Sequence, residues 1–108
     1  MPTLHIEHPI TDFATWKEAF DRFADLRERS GVLHHRVQLP IDDPRYVVID
    51  LDFATTTEAE TFRQFLQTKV WPSQQNSPAL VGTPRTIILA PAEAPVPALP
   101  ETLHAING

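Results

Sequence analysis

A single α+β domain in the order strand, helix, strand, strand, helix, strand is predicted by three features of the segment from Thr3 to Leu89. Apolar and polar residues alternate with period two over Thr3–His8, Val32–Leu39 and Arg45–Phe53, as half-buried strands require. Apolar residues recur at steps of three and four after Asp12 and after Thr55, which is the helical period. The segment Pro40-Ile41-Asp42-Asp43-Pro44, with its prolines and aspartates, reads as a hairpin loop between the two middle strands. This order is the ferredoxin-like split βαβ arrangement, an antiparallel four-stranded sheet with both helices on one face.

Each element has its own local cause. In the first strand Leu4 and Ile6 fall on one face, Thr3, His5 and Glu7 on the other, and Pro9 closes the run. Asp12 stands at the N-cap of a helix expected over 12–30, with Phe13, Trp16, Phe20 and Phe23 as an aromatic stripe. Lys17, Glu18, Asp21, Arg22 and Asp25 cover its other side, and Arg22, Arg27 and Arg29 interleaved with Asp21, Asp25 and Glu28 read as a solvated face. Gly31 supplies the left-handed terminus. Val32–Leu39 then alternates with Leu33 as the exception, and Arg45–Phe53 places Val47, Ile49, Leu51 and Phe53 on one face. Thr55 and Glu58 form a capping box for a second helix over 56–70, buried along Ala59, Phe62, Phe65 or Leu66, and Lys69 or Val70, and ended by Pro72. A polar connection from Ser73 to Pro84, with a short helical turn near Ala79–Val81, leads to the last strand at Arg85–Ala90.

Composition narrows the classes. At 108 residues the chain forms one domain over 1–90 with a Pro-rich C-terminal arm over 91–108. Its core is small, burying roughly 65% of the unfolded surface, so association gains it much. A formal charge of −5 with scattered basic residues points away from nucleic acid and from anionic membranes. Without cysteine there is no disulfide, thiolate ligand or thiol nucleophile. No apolar run approaches the length of about 18 residues that spans a bilayer, and Met-Pro-Thr-Leu-His has no signal-peptide pattern, so a cytoplasmic location is expected. With three glycines and no Gly-rich loop, a phosphate cradle is excluded.

Sorting strand residues by face separates core from chemistry. Leu4, Ile6, Val37, Leu39, Val47, Ile49, Leu51 and Phe53 face the helices, while His5, Glu7, His34, Arg36, Gln38, Tyr46, Asp50 and Asp52 face away. Those polar groups either pair across strands or line a wet cavity, where Glu7 with His5, and Asp50 or Asp52 with His34, would be the acid–base pairs. His34 and His35 point to opposite faces, as do His5 and His8, which leaves only a composite of His5, His34 and Asp52 for a metal; no metal and no cofactor are expected. His35, on the helix side, is either a satisfied core histidine or a pocket residue. Trp16, Phe20 and Phe62 are core residues or, where the gap between sheet and helices is unfilled, aromatic walls. Trp71 stands at the mouth of the long connection, from which Ser73, Gln74, Gln75 and Asn76 offer neutral hydrogen bonds.

The βαββαβ order, the run Asp12-Phe13-Ala14-Thr15-Trp16-Lys17-Glu18-Ala19-Phe20-Asp21 and Asp42-Asp43-Pro44 before Tyr46-Val47-Val48 resemble the dimeric α+β barrel superfamily. Within it the chain is similar to the small proteins grouped with antibiotic-biosynthesis monooxygenases. The resemblance, over residues 2 to 90, implies a homodimer with its sheets face to face and helices outside. It implies a pocket for a small apolar or aromatic ligand. Haem-degrading members use an Asn on the first strand and a His on the second helix, both absent here, and only Trp71 matches their Trp. The oxygenases surround a planar phenol with Trp, Asn, Tyr or Arg, for which Trp71, Asn76, Tyr46 and Arg85 are the counterparts. The function so implied is a cofactor-independent monooxygenase acting on an aromatic or polyketide-like compound, with His35 as base, Trp71 and Asn76 orienting, and Trp16, Phe20, Phe62, Tyr46 and Arg85 contacting the ligand. The alternative is a non-catalytic ligand-binding or stress-response dimer.

The arm generates a prediction of its own. Pro91, Pro95, Pro97 and Pro100 restrict the unfolded chain, and Leu99, Leu103 and Ile106 form one apolar edge, so docking along the core or the partner subunit is expected. Removing residues 91–108 should lower the melting temperature by several degrees or weaken the dimer, as read by calorimetry and sedimentation.

Overall fold

Strand β1 (Thr3–Pro9) lies between β3 (Tyr46–Phe53) and β4 (Arg85–Leu89), and β2 (Val32–Gln38) pairs with the outer edge of β3. All pairs in the resulting order β2-β3-β1-β4 are antiparallel, which is the ferredoxin-like arrangement. This computed structural model describes residues 1–93. The expected arm lies, apart from its first residues, outside the described residues.

Period-two alternation in β1 and β3 does the sorting. Leu4, Ile6, Val47, Ile49, Leu51 and Phe53 are buried under the helices, and Leu4 and Phe53 are wholly inaccessible. The strand β1 runs one residue beyond His8, because Pro9 pairs opposite Tyr46 at its end. The Leu33 exception in the sequence is a bulge: the β2–β3 register shifts between Val32 and His34, and Leu33 is left exposed.

The expected first helix is two. Helix α1 (Phe13–Arg22) starts at Asp12, whose carboxylate accepts the Thr15 N–H at 2.8 Å, and it ends at Phe23, where ψ is 12°. Helix α2 (Ala24–Arg29) follows directly. The break has an identifiable cause. The Phe20 carbonyl accepts the Phe23 N–H at 3.2 Å and the Arg27 guanidinium at 2.6 Å, so a side chain has entered the helical ladder. Arg27 is therefore no part of a solvated face; it is 7% exposed.

Helix α3 (Thr56–Phe65) opens with the capping box read from the sequence, Glu58 N–H donating to Thr55 Oγ1 at 3.2 Å. It does not continue as α-helix to residue 70. Leu66–Val70 is a π-turn, closed by the Trp71 N–H on the Leu66 carbonyl at 2.8 Å. Such wide turns are frequent at functional sites. In place of the helical turn expected near Ala79–Val81 there is a tight turn at Pro78–Ala79, Leu80 N–H donating to Ser77 O at 3.3 Å, and the chain is then tied to the end of β1: Ile10 bridges Leu80, Thr11 N–H donates to Ala79 O at 2.9 Å, and Val81 N–H to Pro9 O at 3.2 Å.

Gly31 turns the chain from α2 into β2 at φ 99°, and a Cβ there would lie 2.5 Å from the Glu58 carboxylate. Gly31→Ala is expected to cost about 1–2 kcal/mol through backbone strain, measured as a lower midpoint in urea with an unchanged slope.

Candidate functional site

Between sheet and helices a cleft with a free volume of about 80 Å³ remains unfilled. Ile6, Ile49 and Leu51 form its floor, and Trp16, Phe20 and Phe62 its walls. Trp16 stacks on Phe13 and on Phe20 with ring centroids 5.8 and 4.8 Å apart, giving a run of packed aromatic rings along α1. Trp71, delivered by the π-turn, and the segment Asn76–Leu80 complete the rim. That segment is fixed in place: Asn76 Nδ2 donates to Lys69 O at 3.1 Å and Ser77 Oγ to Val70 O at 3.0 Å.

Two ionisable side chains break the apolar lining. His8 continues the Leu4–Ile6 face of β1 and is 3% exposed. Its Nδ1 lies 2.8 Å from the Pro9 carbonyl, so Nδ1 carries the proton and Nε2 is a bare lone pair. Nε2 has no hydrogen-bond partner among the described residues, and His8 is part of the cleft lining. Burial holds the His8 pKa below the ordinary histidine range, against the opposing pull of the Pro9 carbonyl. The imidazole is neutral at pH 7.

Arg27 is the second. Its guanidinium sits 3.5 Å over the Phe20 ring and donates to Phe20 O, and no carboxylate comes within ion-pair distance among the described residues. Nothing in a charge-alternating helix marked it, yet its spacing of seven from Phe20 places it on the aromatic face.

The cleft brings together Trp16, Phe20, Phe62, Trp71 and Asn76, five of the residues expected at a site. His35 faces the helix side, with its ring 5.4 Å from Phe20 in an edge contact, but β2 is the sheet's edge and leaves His35 exposed outside the cleft. Tyr46 and Arg85 lie on the other face of the sheet and contribute nothing to this cleft. His8 was not singled out from the sequence, although parity with Leu4 and Ile6 already placed it toward the helices.

The uncovered face carries a cross-strand network. His5 Nδ1 meets Asp50 at 2.7 Å, His5 Nε2 meets Glu7 at 2.8 Å, and Tyr46 Oη donates to Glu7 at 2.8 Å. Arg36 reaches Asp50 at 3.4 Å and Thr3 donates to Asp52 at 2.6 Å. His34 stands opposite Asp52 on β2, separated from His5 by β3, so the composite His5–His34–Asp52 set does not converge. The Glu7 hydrogen bond, opposed by desolvation and assisted by Asp50, raises the His5 pKa above its ordinary value. The His5 and Tyr46 hydrogen bonds lower that of Glu7.

No protein-family model matches this sequence, and no curated protein does. The fold has close counterparts among solved structures. The cofactor-independent oxygenase SnoaB of Streptomyces nogalater superposes with a TM-score of 0.65 over 86% of this chain and 94% of its own, at 17% identity. The ActVA-Orf6 monooxygenase of Streptomyces coelicolor, solved with nanaomycin D, gives 0.61 over 90% and 92% at 15% identity. A protein of Bordetella bronchiseptica described as an antibiotic biosynthesis monooxygenase gives 0.67 over 85% and 98% at 14% identity. The chain thus shares the ferredoxin-like α+β fold of these structures. At these identities the likeness defines the fold alone. Among the described residues no helix is long and apolar enough to cross a membrane.

The network on the uncovered face makes a pH prediction. A histidine whose pKa is raised by folding stabilises fully below its unfolded value near 6.5, and that contribution is lost as pH rises through the folded value. Wild type should therefore melt above His5→Gln at pH 6, with the gap shrinking steadily towards pH 8.5 in differential scanning fluorimetry. Taking the difference cancels His8, whose depressed pKa acts in the opposite sense.

Proposed function

We propose that the protein is a cofactor-independent oxygenase of a small, flat phenolic or polyketide-like compound, bound in the cleft between sheet and helices. The observation that carries this reading is the buried His8 in the lining of an aromatic-walled cleft, its Nδ1 engaged by the Pro9 carbonyl and its pKa lowered by burial. A general base of this kind must present its lone pair in a place that water does not dominate. His8 takes the role assigned from the sequence to His35. Trp71 and the Trp16–Phe20 surface hold the ring by stacking, and the Asn76 Oδ1, left over when its amide nitrogen binds Lys69 O, orients a hydroxyl.

Chemically, His8 Nε2 accepts a proton from the phenol or from the CH₂ group that the phenol activates, and the Pro9 carbonyl steadies the resulting imidazolium through Nδ1–H. The electron-rich anion reduces dioxygen. One oxygen atom ends as the carbonyl of the former CH₂ carbon, the other leaves with its two hydrogens as water, and the four electrons come from the substrate carbon. No further reductant is needed.

The uncovered face fits a homodimer. Ile87 and Leu89 of β4 project from it, both nearly half exposed, beside the network of His5, Arg36, Asp50 and Asp52. A second copy packed sheet to sheet would bury this mixed surface, in the cytoplasm as the sequence suggests. A ligand-binding dimer without chemistry is the second reading, favoured by the structural use of the Asn76 amide; one neighbour of this fold, from Nitrosomonas europaea, is a protein of unknown function.

Oxygen uptake with a hydroxyanthrone is the decisive assay. His8→Ala should lower kcat/KM by about 10²–10⁴-fold, with His35→Ala near wild type and Trp71→Ala raising KM. The wild-type profile should rise with pH through a pKa below the ordinary histidine value. Equal turnover in wild type and His8→Ala would transfer the protein to the binding reading.

A further inference from the structure

The Arg27 guanidinium caps the break after α1 and lies on the Phe20 ring, yet it places a fixed charge in a largely apolar cleft. We propose that the cleft's ligand is an aromatic carboxylate, its anionic group paired with Arg27; this rests on the cleft being the ligand site, as above. Arginine cannot shed its proton in a protein, so the charge stays whatever the surroundings. A buried cation without a counter-ion is unfavourable, and native proteins supply a partner for such a group.

The chain does not supply one. Asp21 is engaged by Lys17 at 2.6 Å and Asp25 by Arg29 at 3.0 Å, both on the solvent side, and Asp21 acts on Arg27 only at a distance. Phe20 occupies one Nη and one face of the guanidinium. The remaining N–H donors have no partner among the described residues, and Arg27 is part of the cleft lining. As a cap for the break after α1, a single N–H would be enough. A planar fork with donors to spare matches the two oxygens of a carboxylate.

The neighbourhood fits the rest of such a ligand. The Trp16–Phe20 stack is adjacent through Phe20, which touches both the indole and the guanidinium, so a ring lying on the stack carries its substituent to Arg27. The chain as a whole is acidic, with its other basic residues outside the cleft lining, so a cation placed there serves recognition and not solubility.

The test compares 2-naphthoate with its neutral isostere 2-naphthamide by isothermal titration calorimetry at pH 7. Binding is located by the two indole N–H resonances of Trp16 and Trp71, the only tryptophans and both at the cleft. Wild type should bind the acid at least tenfold more tightly than the amide, with both indoles shifting. Arg27→Met should remove that preference while leaving the amide within twofold, and Arg27→Lys should restore part of it. If Arg27→Met does not fold, the acid-to-amide ratio in wild type and in Arg27→Lys decides. Equal affinity for acid and amide, with the indoles shifting, would overturn the anion pairing and leave the cleft reading standing. No shift of either indole with either compound would overturn both.

Discussion

The register of β1 against β3 pairs Leu4 with Leu51, Ile6 with Ile49 and His8 with Val47, and it holds the molecule's two kinds of surface apart. In a strand, neighbouring side chains point to opposite faces, so a slip of one residue would exchange them all. If β1 slipped, His5 and Glu7 would enter the apolar side without partners, and Leu4 and Ile6 would turn to the other face. Both faces oppose the slip. On one, the hydrophobic effect rewards the buried set; on the other, His5 bridging Glu7 and Asp50 is possible in this register alone. The position of His8 in the cleft follows from the same pairing.

The cleft exists because two helices depart from regularity above that sheet. A straight helix over 12–30 would have carried its aromatic stripe on without interruption; the break at Phe23 instead folds Arg27 back over Phe20. The π-turn at Leu66–Val70 inserts one extra residue before Trp71 and swings the indole to the rim. Both irregularities put a functional type of side chain on the apolar face. The long connection beyond Trp71 is then held against the end of β1, next to His8, by the Ile10–Leu80 bridge.

Topology, strand faces, the capping box at Thr55 and the turn at Gly31 were legible because each follows from local parity, spacing or a single conformational demand. Of the residues that line the cleft, Trp16, Phe20 and Phe62 were legible from helical spacing, whereas Trp71 and Asn76 were expected from their place in the long connection and from the family resemblance. What escaped has physical causes. His8 precedes a proline and looks like the end of a strand, whereas Pro9 still pairs with Tyr46 and keeps His8 inside the sheet. Arg27 is masked by alternating charges, although its helical phase with Phe20 was available. His35 has the right parity, but parity cannot tell an edge strand from a central one, and β2 is the edge. The π-turn leaves no trace, since Gln67, Thr68 and Lys69 are exposed and equally suited to an α-helix.

The two ionisable groups of the cleft answer burial in opposite ways, and this couples them. An imidazole can give up its proton, and His8 stays neutral; a guanidinium cannot, and Arg27 offsets desolvation with the Phe20 carbonyl and ring. The chain's net negative charge lies on its surface, where salt screens it beyond about 10 Å. The Arg27 charge sits where screening is weak. A neutral ring entering the cleft gains stacking alone, whereas an anion also meets an unpaired cation. Transfer of a proton to His8 would add a second positive charge to that same apolar space. A bound anion would reduce the cost of that step, so in the proposed reaction ligand recognition by Arg27 and proton acceptance by His8 would reinforce one another.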